Sequence, residues 1–246
     1  MEFTRDAILY GELMLWQPEK GPRVSVDSVL LTAFSQVRPG ERVLELGSAH
    51  GAVALLLARR FPESGSVEGL EIQPELVEVA RKNALENGLA DRVAFRRGDL
   101  RQVRNIYPPQ SFQVVVMNPP YDEPGKSRPS PHDAEATARH GLHCSLQDVV
   151  QAARYLLANR GRLFMVFRAN RTAELCRILE QSAIEPKRIR PVHPSPEKDA
   201  SVVLVEGLRA GGVGVTIQPP LFIHDRKGDY TPSLLAAYSV GGGSCL

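Results

Sequence analysis

Short apolar segments alternate with helical segments along residues 42–207, and this alternation constrains the fold more than any other feature of the chain. Four apolar segments lie at 43–46, 66–72, 92–97 and 112–117, and helical patterns lie at 51–60 and 74–87. The unbroken β-branched run Val114 to Val116 is typical of a parallel strand that is covered on both faces. Repeated strand–helix alternation predicts a doubly wound α/β fold with a mainly parallel sheet.

The second half of the chain continues this pattern. Ser145 and Asp148 form the capping-box start of a helix whose apolar residues keep to one face. Further strands are predicted at 163–167, 187–192 and 201–207, with a helix around 175–179. We therefore expect one main domain at 41–207, a helical extension at 1–40 with its helix near 27–36, and a tail extension at 208–246. The Pro- and Ser-rich residues 122–135 predict a mobile loop, and the glycines at 241–243 predict a loose chain end.

The composition excludes several classes of protein. A chain that is 43% hydrophobic and 24% charged has enough apolar residues to form a core, so it is not disordered. The apolar run Ala52–Ala58 is much shorter than the ~20 residues that span a membrane. The first residues lack a signal-peptide pattern, so we expect a cytoplasmic protein without membrane contact. Cys144, Cys176 and Cys245 are too far apart in sequence to predict a disulfide framework or a zinc site.

Charge is unevenly distributed along a chain whose net charge is only +2. Residues 151–210 contain eleven Lys or Arg and six Asp or Glu, whereas the rest of the chain is slightly acidic. Such a segment indicates a polyanionic partner, although a solvated helix face would have the same composition.

Three acidic residues stand at or near the ends of the first three predicted strands. Glu45 opens a turn that contains Gly47, Ser48 and Gly51, and glycines there let a ligand approach the backbone closely. The turn lacks the dinucleotide GxGxxG spacing, and its acidic residue would attract an ammonium group rather than a pyrophosphate. The other two acids are Glu71, which is placed to accept from ribose hydroxyls, and Asp99, which is placed to accept from an adenine amine. Together they indicate a cofactor that contains a nucleoside.

The fourth predicted strand is followed directly by Asn118-Pro119-Pro120-Tyr121. With this motif the chain resembles the class I S-adenosylmethionine-dependent methyltransferases that act on planar amino groups. The likeness extends over about residues 20–207 and includes the stretches 21–31, 71–73, 185–194 and 200–207. Those stretches resemble in particular the bacterial tRNA adenine-N6 methyltransferases that modify an adenosine next to the anticodon of a valine tRNA. Ala49 stands where that family usually has Gly.

The resemblance implies a Rossmann-like, mostly parallel seven-stranded sheet flanked by helices, an S-adenosylmethionine cofactor and an RNA substrate, specifically a tRNA. It implies that the Asn118 side-chain carbonyl and the Pro119 backbone carbonyl accept the two hydrogens of the adenine amine, with Pro120 holding them rigid. It also implies that Tyr121 stacks on a flipped base. Further cofactor contacts are implied for Asp27, Ile72, Leu100 and Asn118, and further substrate contacts for Arg139 and His140.

Other interpretations remain open at this point. The motif also occurs in methyltransferases of release-factor glutamine and of ribosomal RNA guanine, and a non-catalytic RNA-binding module could retain the fold. The spacing of His140, His143 and Cys144 could suit a metal, but no further ligands accompany it, so we expect no metal. We expect a monomer or a weak homodimer.

Overall fold

The computed structural model describes residues 2–119 and 144–239. Its strands form a two-stranded N-terminal sheet and one large sheet. The strands are β1 (Phe3–Ile8), β2 (Leu13–Pro18), β3 (Arg42–Leu46), β4 (Ser66–Glu71), β5 (Val93–Arg97), β6 (Phe112–Met117), β7 (Leu157–Arg168), β8 (Ile184–His193), β9 (Val202–Arg209), β10 (Thr216–Ile217) and β11 (Leu221–Phe222). The helices are α1 (Val26–Phe34), α2 (Ala52–Arg60), α3 (Pro74–Glu86), α4 (Leu146–Leu156), α5 (Thr172–Gln181) and α6 (Pro232–Ala237).

The large sheet has the strand order β5-β4-β3-β6-β7-β9-β8. Strands β3 to β7 are parallel, and β9 lies antiparallel between β7 and β8. The predicted mostly parallel seven-stranded sheet is therefore confirmed. Two short strands, β10 and β11, extend it by pairing in parallel with β8.

Two apolar cores cover the two faces of this sheet. Successive residues of β6 alternate between them, since Val114 and Val116 belong to one core and Val115 to the other. Helices α1, α2, α3 and α6 pack on the first face, and α4 and α5 pack on the second. This double coverage explains why the strand sequences are apolar without alternation. The predicted capping box is confirmed at α4, where the side chains of Ser145 and Asp148 each bond the other residue's backbone N–H.

The N-terminal segment differs from the predicted helical extension. Residues 3–18 form the antiparallel hairpin β1–β2, and only α1 is helical in this region. Leu13 and Leu15 are buried while Met14 and Trp16 are half-buried, which is the period-two pattern of a strand. The helix predicted near 27–36 is present as α1, whereas the period-two alternation of residues 13–16 makes the first half of the extension a hairpin.

Two asparagines of α3 attach this hairpin to the main domain. Asn83 accepts a hydrogen bond from the backbone N–H of Trp16 at 2.7 Å and donates to the Trp16 carbonyl at 2.8 Å. Asn87 makes the equivalent pair with Met14, at 2.9 and 2.7 Å. The two asparagines are one helical turn apart, so their amides match alternate residues of β2 as a neighbouring strand would.

The tail extension is packed against the first core as far as residue 239. Leu234 and Ala237 are buried, and the Arg60 guanidinium donates to the carbonyls of Ala237 and Ser239. Burial lowers the pKa of Arg60 to about 10. The glycines at 241–243 and the loop predicted at 122–135 lie outside the described residues.

Candidate active site

The turn between β3 and α2 lies at the carboxyl edge of the sheet and is held by backbone contacts. The N–H groups of Gly47 and Ser48 donate to the Leu70 carbonyl at 2.8 and 3.1 Å. Gly47 has φ of +70° and is exposed. A Cβ atom added at this position would lie 3.9 Å from its nearest neighbour, the Met117 side chain. Gly51 has φ of +87°, and a Cβ there would lie 2.5 Å from the Phe95 ring. Only glycine therefore suits position 51, while Gly47 presents open backbone next to the end of β6.

Glu71 is the acidic residue that fastens this turn. One carboxylate oxygen accepts from the Ala49 N–H and the other from the Gln73 N–H, each at 2.9 Å. The side chain is only 5% exposed, so both bonds are shielded from water. Ala49, the residue that departs from the family's Gly, has φ of +46°, which is the left-handed region that Gly adopts more easily.

Glu45, in β3, links this strand to the helix that follows the turn. Its carboxylate accepts from the Ala54 N–H in the first turn of α2 at 2.8 Å, and the residue is 3% exposed. Burial raises the pKa of Glu45 well above its usual range, and the nearby negative charge of Glu71 raises it further. The structure thus places Glu45 as a buried link between strand and helix.

The third predicted acid ends the neighbouring strand. Asp99 follows β5 and caps the 3₁₀ segment Leu100–Asn105, where its carboxylate accepts from the Arg101 backbone N–H at 2.9 Å. The Arg101 guanidinium also bonds this carboxylate and holds the pKa of Asp99 below its usual range. Strands β3, β4 and β5 pair side by side, so Glu45, Glu71 and Asp99 lie near the carboxyl ends of three neighbouring strands, each two residues further along than the one before. Ile72 and Leu100, both half-buried, immediately follow the second and third acids.

Asn118 and Pro119 follow β6 at the same edge. The Asn118 side-chain Nδ2 donates to the Ser28 Oγ at 3.3 Å, and Pro119 is buried. Ser28 lies in the first turn of α1, directly after the predicted cofactor contact Asp27. The predicted residues Pro120, Tyr121, Arg139 and His140 lie outside the described residues.

Sequence reasoning did not single out Ser28 or His50. Ser28 lies within the family-like stretch 21–31, which was the available signal. His50 is 3% exposed, and neither ring nitrogen has a hydrogen-bond partner among the described residues. Burial lowers the pKa of His50 to about 4, and the positive charge of Arg23 contributes to the lowering. The Pro22 carbonyl raises the pKa slightly, although it lies outside hydrogen-bonding geometry. His50 is therefore a neutral, enclosed ring within the turn.

Residues 2–119 and 144–239 contain neither a metal-ligand cluster nor a helix suited to a membrane. No three His, Cys, Asp or Glu side chains are grouped there so that they could hold a metal ion. None of the helices in these ranges combines the length and the apolar character that a membrane span needs.

Comparison with known proteins agrees with this geometry. Residues 38–186 match a family model described as a methyltransferase domain. The chain is 30% identical over 219 residues to a tRNA1(Val) (adenine(37)-N6)-methyltransferase of Porphyromonas gingivalis, with 85% of this chain and 84% of the relative covered. It is also 30% identical over 210 residues to the enzyme of that name from Aeromonas hydrophila, with 85% of each covered.

Among solved structures, a predicted O-methyltransferase from Agrobacterium tumefaciens superposes with a TM-score of 0.70 at 23% identity, over 87% of this chain and 97% of that one. A geranyl diphosphate methyltransferase solved with S-adenosylmethionine superposes with a TM-score of 0.52 at 15% identity, over 73% and 82%. At these identities the structures establish the fold alone.

Proposed function

The chain belongs to the tRNA1(Val) (adenine(37)-N6)-methyltransferase family, and on this premise we propose that it methylates N6 of the adenine next to the anticodon in a valine tRNA. The proposal rests mainly on the position of Asn118 at the carboxyl end of β6, beside the glycine turn. A cytoplasmic location and a monomeric or weakly dimeric state remain predictions from the sequence.

The residues of the turn fit S-adenosylmethionine. Gly47 presents open backbone at the sheet edge, and Ser48 has a buried hydroxyl without a hydrogen-bond partner among the described residues. The Glu71 carboxylate has about four acceptor positions, of which two backbone N–H groups occupy two, so it can also accept from ribose hydroxyls. When it is bound, the cofactor supplies a methyl group that is already activated on a sulfonium sulfur.

The protein's remaining task is to make the adenine amine nucleophilic, since its lone pair is delocalised into the ring. In the proposed role, the Asn118 carbonyl and the Pro119 carbonyl accept the two amine hydrogens and stabilise the positive charge that develops on nitrogen. The fixed φ of Pro119 helps to keep these acceptors in place. Tyr121 is proposed to hold the base by stacking, which is worth ~1–3 kcal/mol.

Transfer of a labelled methyl group to fractionated tRNA, followed by nucleoside analysis, tests this function. We expect N6-methyladenosine in valine tRNA, whereas methylguanosine or a methylated release-factor glutamine would overturn the assignment.

The role of Asn118 is tested in the same assay. Asn118→Ala should lower the single-turnover rate at saturating tRNA by at least ~10²-fold with little change in cofactor affinity, because the carbonyl acts on the amine. Asn105→Ala is the matched control, because Asn105 is exposed at the end of the 3₁₀ segment. A near-normal rate in Asn118→Ala would show that Asn118 is only a turn residue.

A further inference from the structure

An open groove lies between the 3₁₀ segment Leu100–Asn105 and α4, on the second face of the sheet. We name it the arginine groove; its volume is about 400 Å³, and its lining includes Arg104, Gln151, Arg154, Tyr155, Ser182 and Arg209. A smaller depression of about 100 Å³ shares some of these residues and extends to Arg101 and Asp148. The arginine groove lies toward the amino edge of the sheet, because Gln110 and Ala183, which precede β6 and β8, line it, whereas the smaller depression extends from it toward the start of α4.

The arginine groove carries positive charge that the described part of the protein does not neutralise. No described carboxylate lies within ion-pair distance of Arg104, Arg154 or Arg209, whereas Arg162 and Arg188 of the same basic segment pair with Glu41 and Glu206. Burial, and next the charge of Arg154, lowers the pKa of Arg209. The excess of Lys and Arg found in residues 151–210 is thus partly concentrated here.

Arg104 and Arg209 are held in place by contacts with uncharged groups, and so is Gln151 beside them. The Arg104 guanidinium lies over the Tyr155 ring, 4.8 Å from its centroid, and the Tyr155 hydroxyl donates to the Tyr107 carbonyl at 3.1 Å. Arg209 donates to the Leu157 carbonyl, and Gln151 donates to Ser182 at 3.3 Å. Arginines held in this way still present N–H donors to phosphate oxygens, which they bind in charge-assisted hydrogen bonds.

The dipole of an α-helix favours only one of the three arginines. Arg154 lies in the last turn of α4, where a cation interacts favourably with the helix dipole. Arg104 and Arg209 come from other elements of the chain, the 3₁₀ segment and the end of β9. Three cations from three separate elements converge on one groove, and this convergence favours an anionic ligand that spans it.

We propose that the arginine groove binds backbone phosphates of the tRNA substrate, outside the nucleotide that is methylated. This inference rests on the proposed tRNA function and adds the surface that holds the RNA. Strand β6 has six residues and separates the amino edge from Asn118 by about 20 Å, so phosphates bound in the groove belong to nucleotides several positions from the target base.

The test compares Arg104→Gln, Arg154→Gln and the double variant with wild type. The Kd for tRNA is measured at several salt concentrations, and single-turnover methylation is measured at saturating tRNA. We expect the double variant to bind tRNA about tenfold more weakly near 0.1 M salt, and the slope of log Kd against log salt to fall by about 1 for each arginine removed. The saturated rate and the cofactor affinity should be unchanged.

Two controls make the result specific. Arg154→Lys keeps the charge and should retain most of the affinity for tRNA. Arg38→Gln removes an exposed arginine between α1 and β3 that does not line the groove, and it should leave both affinity and salt slope unchanged. Thermal unfolding of each variant establishes that it is folded.

The possible outcomes separate this proposal from the proposed function. If wild type methylates tRNA but the double variant keeps the wild-type Kd and salt slope, the groove proposal is overturned and the function stands. If wild type transfers no methyl group to tRNA, the proposed function is overturned, and the groove proposal that rests on it is overturned as well. Saturable binding of inorganic phosphate to wild type that is lost in the double variant, without a change in tRNA binding, would mark a small-anion site and also overturn the proposal.

Discussion

Asn118 and Ser28 are 90 positions apart in sequence, yet Asn118 Nδ2 lies 3.3 Å from Ser28 Oγ. Ser28 Oγ is in turn 3.4 Å from the hydroxyl of Ser25, the N-cap of α1. If the Ser28 hydroxyl donates to Ser25, its lone pairs can accept from Asn118. An amide whose nitrogen is bound on one side directs its carbonyl oxygen to the other side, which is the orientation that an amine acceptor needs.

Ser28→Ala should therefore slow methyl transfer without affecting the cofactor. Loss of one hydrogen bond of ~0.5–1.5 kcal/mol predicts a single-turnover rate ~2–10-fold lower at saturating tRNA, with unchanged S-adenosylmethionine affinity. Ser35→Ala is the control, because Ser35 is a buried serine that bonds a backbone carbonyl at the other end of α1. Equal rates in the two variants would contradict the orienting role.

Glu71→Gln should weaken cofactor binding and destabilise the turn together. Gln has one acceptor oxygen in place of two, so the N–H of Ala49 or Gln73 would face an NH₂ group, at a cost of about 1–3 kcal/mol. Calorimetric titration with S-adenosylmethionine and thermal unfolding measure the two effects. Glu68→Gln, on the same strand but paired with Arg42, should leave the cofactor affinity unchanged. An unchanged affinity in Glu71→Gln would remove Glu71 from the cofactor site.

Ala49→Gly should not destabilise the protein. Relief of the left-handed strain at φ of +46° is worth about 1–2 kcal/mol, and the greater freedom of Gly in the unfolded chain offsets about 0.4–1 kcal/mol of it. We expect a net gain of up to about 1 kcal/mol in urea unfolding. The same change at Ala152, inside α4, should cost at least about 1 kcal/mol. A loss of similar size at both positions would contradict this account.

His50 should make the protein less stable in mild acid. Its pKa in the folded state is about 4, below the ~6.5 of an unfolded histidine, so the unfolded chain takes up the proton first as the pH falls. Stability that is fully present above pH ~6.5 should decline between there and pH ~4, by about 3 kcal/mol in total. Urea unfolding of wild type and His50→Leu at several pH values isolates this effect, because the carboxylates titrate in both. Parallel pH profiles would show that the ring is not kept neutral by the fold.

The central sheet and most of its helices could be predicted because their signals are local. The unbroken Val114–Val116 run and the Ser145–Asp148 capping box depend on residues that are close in sequence. The position of the three acids at one edge could also be predicted, since parallel strands end at one edge of a sheet.

The unpredicted features depend on contacts between distant segments. The Asn83–Trp16 bonds join residues 67 positions apart, and no local pattern marks either residue as a partner. His50 looks like any polar turn residue until the packing of the hairpin and α3 encloses it. The sequence predicted where Glu45 and Asp99 lie but not what they bind. Their hydrogen-bond partners come from the helix and the 3₁₀ segment that follow them.

The pairing of Asn83 and Asn87 with β2 has a consequence for self-association. A strand at the border of a small sheet exposes unpaired backbone groups, to which a strand of another molecule can add. In β2, the outward-facing N–H and carbonyl groups of Met14 and Trp16 are already bonded within the chain. The two asparagines thus protect the hairpin from edge-to-edge aggregation, and replacing both of them would expose the unpaired backbone groups of β2 to strands of other molecules.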